Sequence, residues 1–383
     1  MTVGTTEVRQ MSTNPRADTP PPSTVAALIE EAHKNPMTAA SSARPDPVTL
    51  ARRWGIYTPS ELRQRCRDSA CGIPLIAGLI PERSISLVVG DSGIGKSPLL
   101  YQAALCVTAG IPFLGHQTSQ GRVLYLDFEN GLGQVDDLIG CLARHLGLSG
   151  IPEDLMLWNY NNAPPSWKSE DLAAMVSAAQ AAWVIMDSLT AYAPEIEEKA
   201  SHVTRVYQSF RKIIRESEAA ITGVHHLKKP SAKAEEAAPP LEEDPHRWFL
   251  QARGSRVLIN GSDVRIGIDR PSRASNNSEV ALVIGGFGRV RGNIPTTFVS
   301  RVLDEDDEPL GYDKLTGAGL LFNLEQEEAY RRFPPAVRFK EAQKLYGRGA
   351  QATSDFLKKC GSLGIMRKDG RDYRKVEVAE QAE

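Results

Sequence analysis

Eight consecutive residues, Gly90-Asp91-Ser92-Gly93-Ile94-Gly95-Lys96-Ser97, have the types and spacing to hold a phosphate group. They fit the pattern G-x-x-x-x-G-K-[ST], directly after the apolar run Ile85-Ser86-Leu87-Val88-Val89 and directly before helix-forming sequence. Glycines let the backbone curl until successive N–H groups face phosphate oxygens, and the following helix adds the positive end of its dipole. Lys96 is placed to reach the outer phosphates and the Ser97 hydroxyl to hold Mg²⁺. Pro98 falls in the first turn of that helix, where a missing N–H costs nothing.

Other chemistry-bearing residues stand where apolar runs end. The run 122–126 leads into Asp127-Phe128-Glu129-Asn130, and acidic residues at the C-terminal tip of a parallel strand stand where ligands bind in open α/β sheets. Glu129 is the candidate to orient an attacking water, with Asp127 as competitor and a plain acidic helix-capping segment as the alternative. The run Ala182-Trp183-Val184-Ile185-Met186 ends in Asp187-Ser188, placing Asp187 on the Mg²⁺ shell or on the loop serine. Ala220-Ile221-Thr222-Gly223-Val224 ends in His225-His226, polar groups able to bond a γ-phosphate and register its loss, or simply to bond locally. Arg253, beside Gly254, is the candidate to reach a neighbouring subunit's nucleotide. Arg256 is second, and a plain surface arginine is the alternative.

Positioning these residues takes alternating strands and helices. Helices are expected over 99–109, 132–146, 169–181 and 203–217 between the apolar runs, which is the pattern of a mostly parallel α/β sheet covered on both faces. Residues 257–259, 264–268 and 280–284 read as closely spaced strands added antiparallel at one edge. Four regions follow: a tail over 1–45, rich in Ser, Thr and Pro; the α/β domain over 46–300, opened by a helix at Thr58-Pro59-Ser60-Glu61; a linker over 301–333 with the acidic run 304–308; and a small domain over 334–383. Lys228 to Arg247 reads as a mobile loop, with Lys228 and Lys229 placed to meet a nucleic-acid backbone.

The last region has helices over 337–346 and 352–363 and a hairpin over 366–375. Between Arg331 and Lys375, thirteen Lys/Arg face four Asp/Glu. That layout is a small winged-helix domain, suited to duplex DNA or to docking on protein.

Bulk composition sets the outer limits. A chain of 383 residues with 41% apolar and 24% charged residues is ordinary for a globular protein, and a formal net charge of -2 leaves any nucleic-acid contact to local patches. The five cysteines follow no ladder of spacings, and Cys66 and Cys71 lack a second ligand pair nearby, which points to a reducing cytoplasm rather than to zinc. No apolar run reaches membrane-spanning length.

Taken in order, the loop at Gly90, Leu-Asp-Phe-Glu-Asn at 126–130, Val-Ile-Met-Asp-Ser at 184–188, Val-His-His at 224–226 and Arg-Gly-Ser at 253–255 resemble the RepA-like branch of RecA-fold ATPases. These are ring-forming replicative DNA helicases of plasmid or phage type. Over residues 75–300 the resemblance implies a RecA-like P-loop core that binds ATP and Mg²⁺ and assembles into a homohexameric ring acting on single-stranded DNA. Residue by residue it implies Lys96 and Ser97 on phosphate and Mg²⁺, Glu129 as catalytic base, Asp187 on the metal shell, His226 as sensor and Arg253 as a finger in trans. The segment from Lys228 to Arg247 departs from it, being long and acidic for a loop that grips DNA.

Overall fold

Side chains alternate sides along a strand, so a run that is apolar throughout buries both faces. The computed structural model describes residues 54–68, 72–159, 162–228, 238–272, 281–289, 292–303 and 309–376. The tail over 1–45, Cys71, Lys229 and the acidic run 304–308 lie outside the described residues. The chain divides into units of residues 1–64 and 65–383. The helix α1 (Pro59–Asp68) begins in the first and opens on a capping box in which Thr58 N donates to Glu61 Oε2 at 2.8 Å and Glu61 N to Thr58 Oγ1 at 3.4 Å.

The second unit holds a nine-stranded sheet. Its strands are β1 (Ile85–Gly90), β2 (Val123–Asp127), β3 (Leu155–Asn159), β4 (Trp183–Asp187), β5 (Ala220–His226), β6 (Val264–Asp269), β7 (Ala281–Gly288), β8 (Gly292–Leu303) and β9 (Pro309–Lys314). They lie in the order β3-β2-β4-β5-β1-β6-β7-β8-β9, the first six parallel and the last three antiparallel. Every residue of β1, β2 and β4 is buried. On one face Val88, Tyr125 and Ile185 pack under α2 (Lys96–Ala109) and α3 (Leu132–His145). On the other, Leu87, Leu126 and Met186 pack under α4 (Asp171–Ala179) and α5 (Ala200–Ser217). This is the α/β, mostly parallel sheet that the run pattern predicts.

Three local expectations are corrected. Residues 257–259 are helical, within the short helix Arg256–Gly261, because Ser255 Oγ accepts from Val257 N and caps a turn where the apolar triplet alone suggested a strand. That helix carries the chain across to the far side of β1, so β6 pairs with β1 in parallel rather than antiparallel. The part of the expected mobile loop described from Ala238 onward is anchored: Leu241 is fully buried over Gly267 and Gly285, where any Cβ on Gly267 would stand 2.7 Å from Leu241 Cδ1.

The expected linker is structured as well. β8 and β9 extend the sheet through it, and α6 (Leu324–Arg332) joins the C-terminal cluster of Tyr330, Phe333, Phe356, Leu357 and Ile365. That cluster also holds α7 (Phe339–Tyr346), α8 (Ala350–Ser362) and a three-stranded antiparallel sheet of β10 (Ala336–Arg338), β12 (Asp372–Lys375) and β11 (Met366–Asp369). The basic excess here is partly neutralised: Glu325, Glu327 and Glu328 of α6 pair with Arg348, Arg331 and Arg332.

Candidate functional site

The register of the parallel strands sets the C-terminal tips in one row. Gly90 pairs with His226 on one side and Ile268 on the other, and Asp127 pairs with Asp187 and Asn159. β4 and β5 stand between β1 and β2, so the acidic strand is not the phosphate loop's neighbour in the sheet. Glu129 still reaches the loop's side of the site, because the turn after β2 carries it along the row.

The loop itself is shaped to receive an anion. Gly90 cannot be replaced by a residue with a Cβ, which would stand 2.6 Å from the Ile268 carbonyl. Gly95 caps α2 with φ 106° and has no side chain to occupy the helix's first N–H groups, and no acidic residue stands in the first turn. Asp91, Ser92 and Gly93 form the exposed lip, where Asp91 Oδ1 accepts from Ser92 N at 2.8 Å. Ile94 anchors the loop in the core, while Ser97 and Pro98 are half-buried at the helix start.

Lys96 is buried, with 5% exposure. Its ammonium donates to the Gly90 and Asp91 carbonyls at 3.1 and 2.7 Å and lies 3.4 Å from His226 Nδ1. Burial pushes its pKa down, against the opposing pull of Asp187, Glu129 and Asp91. A lysine resting on its own loop's carbonyls is free to exchange them for phosphate oxygens.

Two buried carboxylates and two stacked tyrosines form the floor. Tyr101 and Tyr125 stack with centroids 3.9 Å apart. Tyr101 Oη donates to Asp127 Oδ2 and Tyr125 Oη to Asp187 Oδ2, each at 2.8 Å. Asp187 also takes the Ser97 hydroxyl, yet burial, the largest influence, pushes its pKa up to about 6. Asp127 is committed elsewhere: its Oδ1 accepts from Glu129 N at 2.9 Å and Asn130 N at 2.8 Å, building the turn that presents Glu129. Sequence reasoning left these two acids as competitors, and Asp127 is the one whose oxygens this turn and Tyr101 already occupy. It missed the tyrosines, for which the available signal was Tyr125 two residues before Asp127, on the same strand face.

Glu129 Oε1 lies 3.8 Å from His226 Nε2. Its carboxyl is held down at about 2, chiefly by His226, with Ser188 and Lys96 adding to the effect. Because Lys96 can only donate, the His226 Nδ1 facing it accepts, leaving Nε2–H toward Glu129.

His225, fully buried, has Nε2 at 2.8 Å from the Arg253 carbonyl and Nδ1 at 3.2 Å from Thr190 Oγ1. Arg253 N donates to the His226 carbonyl at 3.0 Å, Lys228 N to the Gln251 carbonyl at 2.8 Å, and Leu227 bridges Ala252. These rungs tie the end of β5 to residues 251–253. The Arg253 guanidinium, 58% exposed, pairs with Glu197 at 2.9 Å rather than with the site of its own chain. Arg256 opens the short helix beyond it.

The donor set fits a nucleotide with Mg²⁺. Among the described residues no three His, Cys, Asp or Glu side chains cluster into a closed metal site. The hydrogen-bonded Ser97 hydroxyl and Asp187 carboxyl are hard oxygen donors of the kind Mg²⁺ takes. Residues 70–232 match the family model AAA_25, described as AAA domain. This segment belongs to that family of AAA domains. The matched segment contains the loop, Glu129, Asp187 and His226 and stops short of Arg253. A solved structure described as "Crystal structure of the RadB recombinase" is similar to the chain at 16% identity with a TM-score of 0.40, covering 61% of this chain and 92% of that one. No curated protein matches the chain. Among the described residues no helix is long and apolar enough to cross a membrane.

Proposed function

We propose that the chain is an ATP-dependent, ring-forming DNA helicase or translocase of plasmid or phage replication type, hydrolysing ATP at the interfaces between its own copies. The observation that carries this reading is the convergence of Lys96, Asp187, Glu129 and His226 on one phosphate loop. Lys96 and the N–H groups at the start of α2 bind and orient the phosphates. Ser97 and Asp187 hold Mg²⁺, which when bound neutralises charge on the phosphate oxygens. Glu129 orients the water, and His226, between Lys96 and Glu129, senses the γ-phosphate. The exposed Arg253 reaches the site of the adjacent copy. Single-stranded DNA is the expected partner in a cytoplasmic setting, with duplex DNA bound by the C-terminal module read as a winged helix.

The test is steady-state ATP hydrolysis by the purified chain with and without single-stranded DNA, with Lys96→Ala as the blank. Stimulation of about tenfold supports coupling between DNA and the nucleotide site, and loss of all turnover in Lys96→Ala places it at this loop. A second reading, an ATP-gated DNA-binding regulator or adaptor without unwinding, draws on the separate C-terminal cluster. Turnover indifferent to DNA, with sequence-specific duplex binding by the full chain, would put it first.

A further inference from the structure

Three polar side chains that the nucleotide reading leaves unused converge on the outer side of the phosphate loop. Arg301, on β8, donates from Nη2 to the Ile94 carbonyl and also hydrogen-bonds the Tyr312 hydroxyl on β9. Both groups crowd Gly95: a Cβ built there would stand 2.8 Å from Tyr312 Oη and 3.0 Å from Arg301 Nη2. Tyr312 is locked to α2 in turn, its N–H donating to Gln102 Oε1 at 2.8 Å and its carbonyl accepting from Gln102 Nε2 at 2.7 Å. Tyr312 and Gln102 are each only 2% exposed.

A loop that turns its N–H groups inward to an anion must turn carbonyls outward, and an outward carbonyl beside the core needs a donor. Arg301 supplies that donor from a strand more than two hundred residues further along the chain. Its Nε is buried without a hydrogen-bond partner, so the guanidinium is held in place by its Ile94 and Tyr312 bonds at the expense of its third position.

We propose that Arg301 is a positioning residue for the phosphate loop, holding the Ile94 carbonyl outward so that the loop keeps its phosphate-binding shape before nucleotide arrives. This rests on the nucleotide reading above. The role depends on the planar fork: a lysine retains the charge but not the fixed geometry that serves the carbonyl and the tyrosine hydroxyl together.

The experiment titrates a fluorescent ADP analogue into the full chain and into Arg301→Ala, Arg301→Lys and Tyr312→Phe, with circular dichroism as the check on folding. Arg301→Ala and Arg301→Lys are expected to weaken binding about tenfold, and Tyr312→Phe about threefold. KM for ATP should rise in parallel while kcat at saturation stays within about twofold, a split that a purely structural defect would not produce. Wild-type affinity in Arg301→Lys would mean that charge suffices, and would overturn the positioning role, as would wild-type affinity in Arg301→Ala. If neither Arg301 variant folds, unchanged affinity in Tyr312→Phe overturns it. Failure of the unaltered chain to bind would instead bring down the nucleotide reading, and this inference with it.

Discussion

Asp187→Asn removes a buried charge while keeping the side chain's shape and the oxygen to which Tyr125 donates. Burial pushes the Asp187 carboxyl from its ordinary 3.8 up to about 6, against the pull of the Ser97 and Tyr125 hydrogen bonds. A carboxyl that ionises less readily in the folded chain than in the unfolded one contributes stability that is fully present below its unfolded value. That contribution is lost as pH rises through about 6. At ~1.4 kcal/mol per pH unit, the gap between the two values is worth about 3 kcal/mol by neutral pH. Asparagine escapes that loss. In urea unfolding followed by tryptophan fluorescence, without nucleotide or Mg²⁺, the variant should exceed wild type by about 1 kcal/mol at pH 4.5 and about 3 kcal/mol at pH 7.5. Its hydrolysis should fall to background, because the metal shell loses its carboxylate. A variant no more stable than wild type at pH 7.5, or a gap that fails to widen with pH, would refute the argument that burial strains this acid.

Glu129→Gln keeps the hydrogen-bonding reach of the side chain and removes its charge, so nucleotide affinity should stay near wild type while kcat drops by about 10²-fold or more in a steady-state assay. Equal losses in binding and turnover would return Glu129 to the capping role. Arg253→Ala should leave nucleotide binding nearly intact and cut turnover by about 10³-fold. Full activity in that variant would remove the assignment in trans.

Much of this architecture is legible in the sequence because burial on two faces leaves an unmistakable run. Val123 to Asp127 and Trp183 to Asp187 announce both the strand and the acid at its tip. Other features depend on partners far away in the chain. Val257-Leu258-Ile259 has strand composition, and only the Ser255 cap and the need to cross over β1 make it helical. Asp127 and Glu129 cannot be ranked until the backbone N–H groups that claim Asp127 are seen. Arg301 is a generic arginine in a strand, and its link to Ile94 spans too much sequence for any local pattern to reveal. The basic C-terminal stretch is partly offset by acids that lie just before it in the chain, on α6.

The short ladder that joins residues 226–228 to 251–253 fastens Arg253 to the strand that carries His226. His226, which meets Lys96, is a single hydrogen bond away from Arg253 across its rungs. The Arg253 backbone is held from both sides, its N–H by the His226 carbonyl and its carbonyl by the His225 ring, so a displacement of this strand tip would carry the Arg253 backbone with it.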